Sequence, residues 1–229
     1  LNNYIFATCF MILKRISSTL LCLVIISGFC YSQSEYDWKL VKTQGDIKAY
    51  VRKLPNTKIR SVKVETTAQT SLSELVSIIK DAPRHPEWVY LNSKSQILDT
   101  ISQQNWIFYG MSDLPWPISD RDFVTKAVIT QDTADLSVEI ISVGIPDYIP
   151  EVEDCIRIEL VHSKWLLIPH NDGTVKITLE LTVDLGGKIP SWFINLAVAK
   201  GPMQTMIGLV NTINGDCYKN SKVGYLTEL

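Results

Sequence analysis

The sequence predicts an α+β fold in which a curved antiparallel sheet wraps around a long C-terminal helix. Three observations carry this. Residues 174–185 alternate strictly, with Val175, Ile177, Leu179, Leu181 and Val183 on one face and Lys176, Thr178, Glu180, Thr182 and Asp184 on the other, the pattern of a strand with one face on a core. In the last segment Trp192, Leu196, Ala199, Met203, Met206, Val210 and Ile213 recur at three-and-four spacing, the pattern of one apolar helix face. Between 114 and 124 runs Leu-Pro-Trp-Pro-Ile-Ser-Asp-Arg-Asp-Phe-Val. Pro115 and Pro117 fix their φ angles and offer no N–H, so this is a rigid apolar loop that feeds a strand.

The chain has 229 residues, which suits one domain plus a processed segment. Residues 1–32 hold Lys14 and Arg15, no acid, and the apolar run 20–26. That is the order of a secretory signal peptide, with cleavage expected after Ser32 and the natural start at Met11. The apolar part is too short to span a bilayer. The remaining body carries 20 basic and 24 acidic residues, a net charge of −4. A mildly acidic body with no Lys/Arg run speaks against nucleic acid and against a polybasic membrane patch. Cys155 and Cys217 remain in it; a disulfide between them and two separate thiols are both open.

Residues 38–42 and 47–51 flank Thr43-Gln44-Gly45-Asp46 and read as a hairpin, with a third strand at 59–67. Ser71 followed by Glu74 is a capping box, and Leu72, Leu75, Val76 and Ile79 make one helix face. Pro83 and Pro86 end that helix, with a further helical turn expected at 87–90. Strands are expected at 95–101, 104–111, 123–130 and 136–143, then a second apolar loop, Gly-Ile-Pro-Asp-Tyr-Ile-Pro, at 144–150. Two long strands, 155–167 and 174–185, join at Asn171-Asp172-Gly173, a hairpin signal. Pro190 opens the final helix to about Ile213, and Pro202 inside it removes one helix bond and bends it.

The 114–124 segment resembles the loop-and-strand motif of START domains, the steroidogenic-acute-regulatory-protein-related lipid-transfer modules. Residues 184–195, Asp-Leu-Gly-Gly-Lys-Ile-Pro-Ser-Trp-Phe-Ile-Asn, resemble that family's glycine turn into its last helix. The resemblance spans about Tyr36 to Asn214. It implies a helix-grip fold with a tunnel for one lipid between sheet and helix. On that reading Trp88, Phe108, Phe123, Thr125, Ala127, Trp165, Trp192, Leu196 and Met203 contact the ligand. Pro115, Trp116 and Pro117 in the first loop, and Tyr148 and Ile149 in the second, stand at the entrance. Some sterol-binding members place a basic residue on the strand after the motif; Ala127 occupies the comparable inward position here, so the resemblance does not extend to a charged contact there, nor to a sterol.

His85, His162 and His170 have no metal-site spacing, and no dinucleotide, phosphate-loop or Gly-x-Ser-x-Gly motif occurs. No cofactor or metal is expected. Arg121-Asp122 reads as a structural salt bridge or a turn clamp. The expected function is that of an exported, monomeric lipid-binding or lipid-transfer protein with transient membrane contact. The alternative is a helix-grip enzyme of the cyclase/aromatase type, which needs an acid or a histidine inside the tunnel.

Overall fold

The structure, a computed structural model, describes residues 37–57, 59–187, 189 and 191–229, with backbone only for 191–199. The expected leader lies outside the described residues, as do the side chains of Trp192 and Leu196. Ten strands are found among the described residues. They are β1 (Lys39–Gln44), β2 (Ile47–Lys53), β3 (Arg60–Gln69), β4 (Asn92–Ser102), β5 (Asn105–Ser112), β6 (Asp120–Gln131), β7 (Val138–Gly144), β8 (Cys155–Arg157), β9 (Leu160–Pro169) and β10 (Thr174–Asp184). They form one sheet in the order β1-β2-β3-β10-β9-β7-β6-β5-β4. Every neighbouring pair on that path is antiparallel. This is the helix-grip architecture. Helix α1 (Leu72–Lys80) and a 3-10 turn (Ala82–Glu87) link β3 to β4, and helix α2 (Ser191–Ile213) packs against β2 and β3.

The capping box of α1 forms as read: Glu74 N–H donates to Ser71 Oγ at 3.1 Å, and Glu74 Oε2 accepts from Ser71 N–H. A second cap was not legible. The Glu228 carboxylate accepts from Leu72 and Ser73 N–H at 3.0 and 2.7 Å, so the chain's far end neutralises orphan donors at the helix start. Tyr218 donates to Asp81 Oδ2 at 2.7 Å and fastens the same tail.

Two expectations need correction. The helical turn at 87–90 falls earlier, at Ala82–Glu87, because a 3-10 turn tolerates proline where no intrahelical N–H is required. The strand expected at 155–167 is two strands. Its first part, β8, leaves the antiparallel path and pairs in parallel with the start of β6, Asp120↔Cys155 through Asp122↔Arg157. Ion pairing between Asp122 and Arg157 holds it there.

Core packing follows the predicted faces. Ala49, Val64, Leu75, Ile177, Met203, Met206 and Leu209 are buried between sheet and helices. Gly208 makes the helix–turn contact possible, since a Cβ there would lie 2.2 Å from the Trp88 carbonyl oxygen. Tyr90 N–H donates to Thr205 Oγ1 at 3.2 Å across the same contact. Cys155 and Cys217 are free thiols. No helix among the described residues is long and apolar enough to cross a membrane.

Candidate functional site: an apolar cavity under the helix

Strand register decides which side chains meet inside the sheet. Trp106, Ala127, Ser142, Ser163, Leu181 and Val62 are successive register partners across six strands, so they form one rung of the inner face. Ile140, Trp165 and Leu179 form the next. Phe108 and Thr125 pair on the other side of the first rung. These residues line a cavity of about 340 Å³, closed by Trp88 and, from α2, by Gly201, Pro202 and Thr205. Phe123 fits because its cross-strand partner is Gly110, where a Cβ would come within 2.5 Å of the ring.

The wall is mostly aliphatic, with a chain of aromatic rings across it. Ring centroids lie 5.2 Å apart for His85–Trp88 and for His85–Phe108, 5.8 Å for Phe108–Phe123 and 6.4 Å for Trp88–Trp165. Polar groups are few. His85 Nε2 lies 2.9 Å from the Ile79 carbonyl oxygen; a carbonyl only accepts, so Nε2 carries the proton. Burial holds the His85 pKa below its ordinary value, favouring the neutral ring. Trp88 Nε1–H is buried with no partner among the described residues. Ser142 and Ser163 face each other in the middle rung. No described Asp or Glu lines the cavity, and no described cluster of His, Cys, Asp and Glu is placed to hold a metal.

Trp88, Phe108, Phe123, Thr125, Ala127 and Trp165 are therefore brought together as cavity lining. Met203 is not. It is fully buried in the core, because Gly201 and Thr205, one helical turn apart, take the cavity side and Met203 with Met206 points away. The first loop borders the cavity through Leu114. Pro115, Trp116 and Pro117 are exposed, Trp116 to 91%, and the Trp116–Pro117 bond is cis. The second loop lies elsewhere. Ile149 and Ile145 pack on Ile107, Tyr109 and Val124, residues that alternate with the cavity-lining ones and so belong to the outer face. Tyr148 is exposed and its hydroxyl lies 3.4 Å from Asp99 Oδ2. Neither Tyr148 nor Ile149 lines the cavity.

The same alternation separates Arg121 from Asp122, which do not pair with each other. Asp122 turns outward and takes a fork from Arg157, with Nε–Oδ1 and Nη2–Oδ2 both 2.9 Å and both side chains buried. Arg157 also donates to the carbonyls of Pro146, Ile149 and Pro150, tying down the second loop. Arg121 turns inward and lines the cavity. It donates to the carbonyls of Ser119, Leu185 (3.1 Å) and Gly186 (3.2 Å). Sequence reading missed Arg121 as a lining residue, although counting back by two from Phe123 reaches it. Arg60, His85, Ser142 and Ser163 were also missed; their place depends on long-range register.

Residues 31–218 match the START domain family. An uncharacterized protein of Pseudomonas aeruginosa is 30% identical over 173 residues, covering 76% of this chain and 85% of that one. Among solved structures, a STAR-related lipid transfer protein fragment from Xanthomonas axonopodis is 27% identical with a TM-score of 0.72, covering 78% of this chain and 99% of that one. Human StAR-related lipid transfer protein 5 shares the fold at 14% identity, with a TM-score of 0.71 and 88% and 98% coverage.

Proposed function

The chain belongs to the START domain family, and from that premise we propose that it is a carrier which holds one hydrophobic ligand between the curved sheet and α2 and passes it between membranes. The observation that carries this reading is the cavity itself, about 340 Å³ and walled by Trp88, Phe108, Phe123, Trp165 and Leu179. That volume lies at the small end of ligand pockets, and the mostly apolar wall with a few fixed polar groups matches what such pockets use. Binding draws on burial of hydrocarbon, about 25 cal/mol per Å² before ordering costs are subtracted. The structural relative from Xanthomonas axonopodis, described as a lipid transfer protein, supports the same reading.

The wall offers little for proton transfer. His85 supplies the histidine that the enzyme alternative requires, but it commits its Nε2–H to Ile79, and the described wall includes no carboxylate to work with it. This favours a carrier over a cyclase-type enzyme. Ligand entry needs a wall to open, and α2, whose internal Pro202 lines the cavity as Leu114 of the first loop does, is the element we assign to that motion. Trp116 meets the membrane surface, where an aromatic ring is favoured. Export through the leader at 1–32 completes the reading; N-terminal sequencing of exported protein should begin near Gln33.

Native mass spectrometry of the purified protein tests the core of it. We expect a species heavier than the bare chain by one lipid, and extraction should release that lipid intact. A bare mass that persists after incubation with mixed-lipid vesicles, or release of a chemically altered lipid, sinks the carrier.

A further inference from the structure

The charge in the cavity is one-sided. Its described lining includes two guanidinium groups, Arg60 and Arg121, and no aspartate or glutamate. Both stand at one end. Arg60 opens β3 one step beyond the Ser61↔Thr182 pair, at the level of Val183 of β10. Arg121 reaches the same end from β6 and donates to Leu185 and Gly186, just past that level.

Arg121 is 1% exposed, yet all three of its bonded partners are neutral main-chain carbonyls. Carbonyl dipoles satisfy N–H groups without pairing the unit charge; Asp120 acts on it only through space, its Oδ1 accepting from Leu114 N–H instead, and a buried charge with no ion-paired partner is costly. Neither Arg121 nor Arg60 forms a salt bridge with a described carboxylate. A guanidinium has five N–H donors, so Arg121 retains capacity beyond these three bonds. Away from this end the wall turns to Phe123, Phe108, Trp165 and Leu179. The cavity thus has a cationic end and a hydrocarbon body.

We propose that the ligand is an amphiphile with an anionic head, a carboxylate or a phosphate monoester, seated on Arg60 and Arg121 with its chain along the apolar wall. The planar fork of arginine suits both kinds of oxygen anion. This rests on the carrier reading and sharpens it to a ligand class.

Calorimetric titration of the full chain with palmitic acid, hexadecyl phosphate and hexadecanol, matched in chain length and held below micelle formation, tests it. We expect at least one of the two anions to bind about tenfold more tightly than the alcohol, with the gap narrowing in added salt. Which anion binds better identifies the head. Arg60→Gln, at an exposed position, should reduce the gap several-fold without loss of fold, and Arg121→Gln should reduce it further. Equal binding of the anions and the alcohol by the unaltered protein overturns the anionic head and leaves the carrier standing. So does a preference that survives both substitutions in folded protein. Failure of all three to bind counts against the carrier itself.

Discussion

The segments 114–119 and 144–150 look alike, each a short run of prolines, aliphatic residues and one aromatic ring, and they end on opposite faces of the sheet. The first leaves Trp116 in solvent beside the cavity, tethered by Leu114 N–H to Asp120 Oδ1 at 2.9 Å and by the Arg121 bond to Ser119. The second lies over Ile107, Tyr109 and Val124 on the outer face, held by three carbonyl bonds from Arg157. The arginines differ as the loops do. Arg157 is ion-paired with Asp122 within the protein, whereas Arg121, one step along β6 from Asp122, faces the cavity hydrogen-bonded to neutral carbonyls and without a salt bridge. The outer loop is therefore a closed structural unit, and the inner end is left with capacity for something from outside. A polar network satisfied internally serves the fold; one left electrostatically open is a candidate place for a ligand.

The comparison breaks most sharply at the outer clamp. Asp122→Ala leaves Arg157 buried without its counter-ion, a loss of about 3–5 kcal/mol, measurable by denaturant unfolding, together with faster proteolysis at 146–150. A fall below 1 kcal/mol would show that the fork is not what holds this face.

Filling the inner face should act on binding instead. Ala127→Trp places a large ring in the middle rung and should cut lipid uptake by about tenfold or more at little gain elsewhere. Lys126→Trp, one residue along on the exposed outer side, should leave uptake unchanged. Equal effects from the two would mean that ligand does not occupy the inner face.

Alkaline pH should loosen the outer clamp. Burial, then the nearby Asp122 and Asp120, push the Cys155 thiol up from 9.0 to about 11. Above about pH 9 the unfolded chain loses that proton while the native protein keeps it, so stability falls as pH rises toward 11. Tyr109, pushed up to about 12 chiefly by burial, extends the decline. Cys155→Ser should flatten the first part of the slope in melts taken across this range; an unchanged slope would assign the loss to other groups.

The smallest stability effect is expected at Trp116. Being 91% exposed, Trp116→Ala should alter stability by less than about 0.5 kcal/mol while slowing lipid exchange between vesicles. Tyr148→Ala on the outer loop should leave exchange alone. Unchanged exchange in Trp116→Ala removes the membrane contact from this loop.

Much of the fold was legible because its signals are local. The alternation of 174–185 becomes β10, the Ser71/Glu74 pair becomes a formed capping box, and the periodic run up to Ile213 becomes α2, described from Ser191, with Met203, Met206 and Ile213 buried. Each follows from the period of one element or from bonds that reach three residues. The site was only half legible. Alternation from Phe123 reached Thr125 and Ala127 on the inner face, and the aromatic residues stood out by size. What tertiary structure alone decided depends on partners far along the chain. Ser142 and Ser163 meet through the β7–β9 register, Arg60 and Arg121 converge on the end of β10, and Glu228 caps a helix that starts 156 positions earlier. The second apolar loop went to the outer face because Arg157, brought to Asp122 by a parallel pairing that no local pattern encodes, holds its carbonyls there. Composition can mark a loop as apolar, but the face it covers is set by which distant charges and strands close around it.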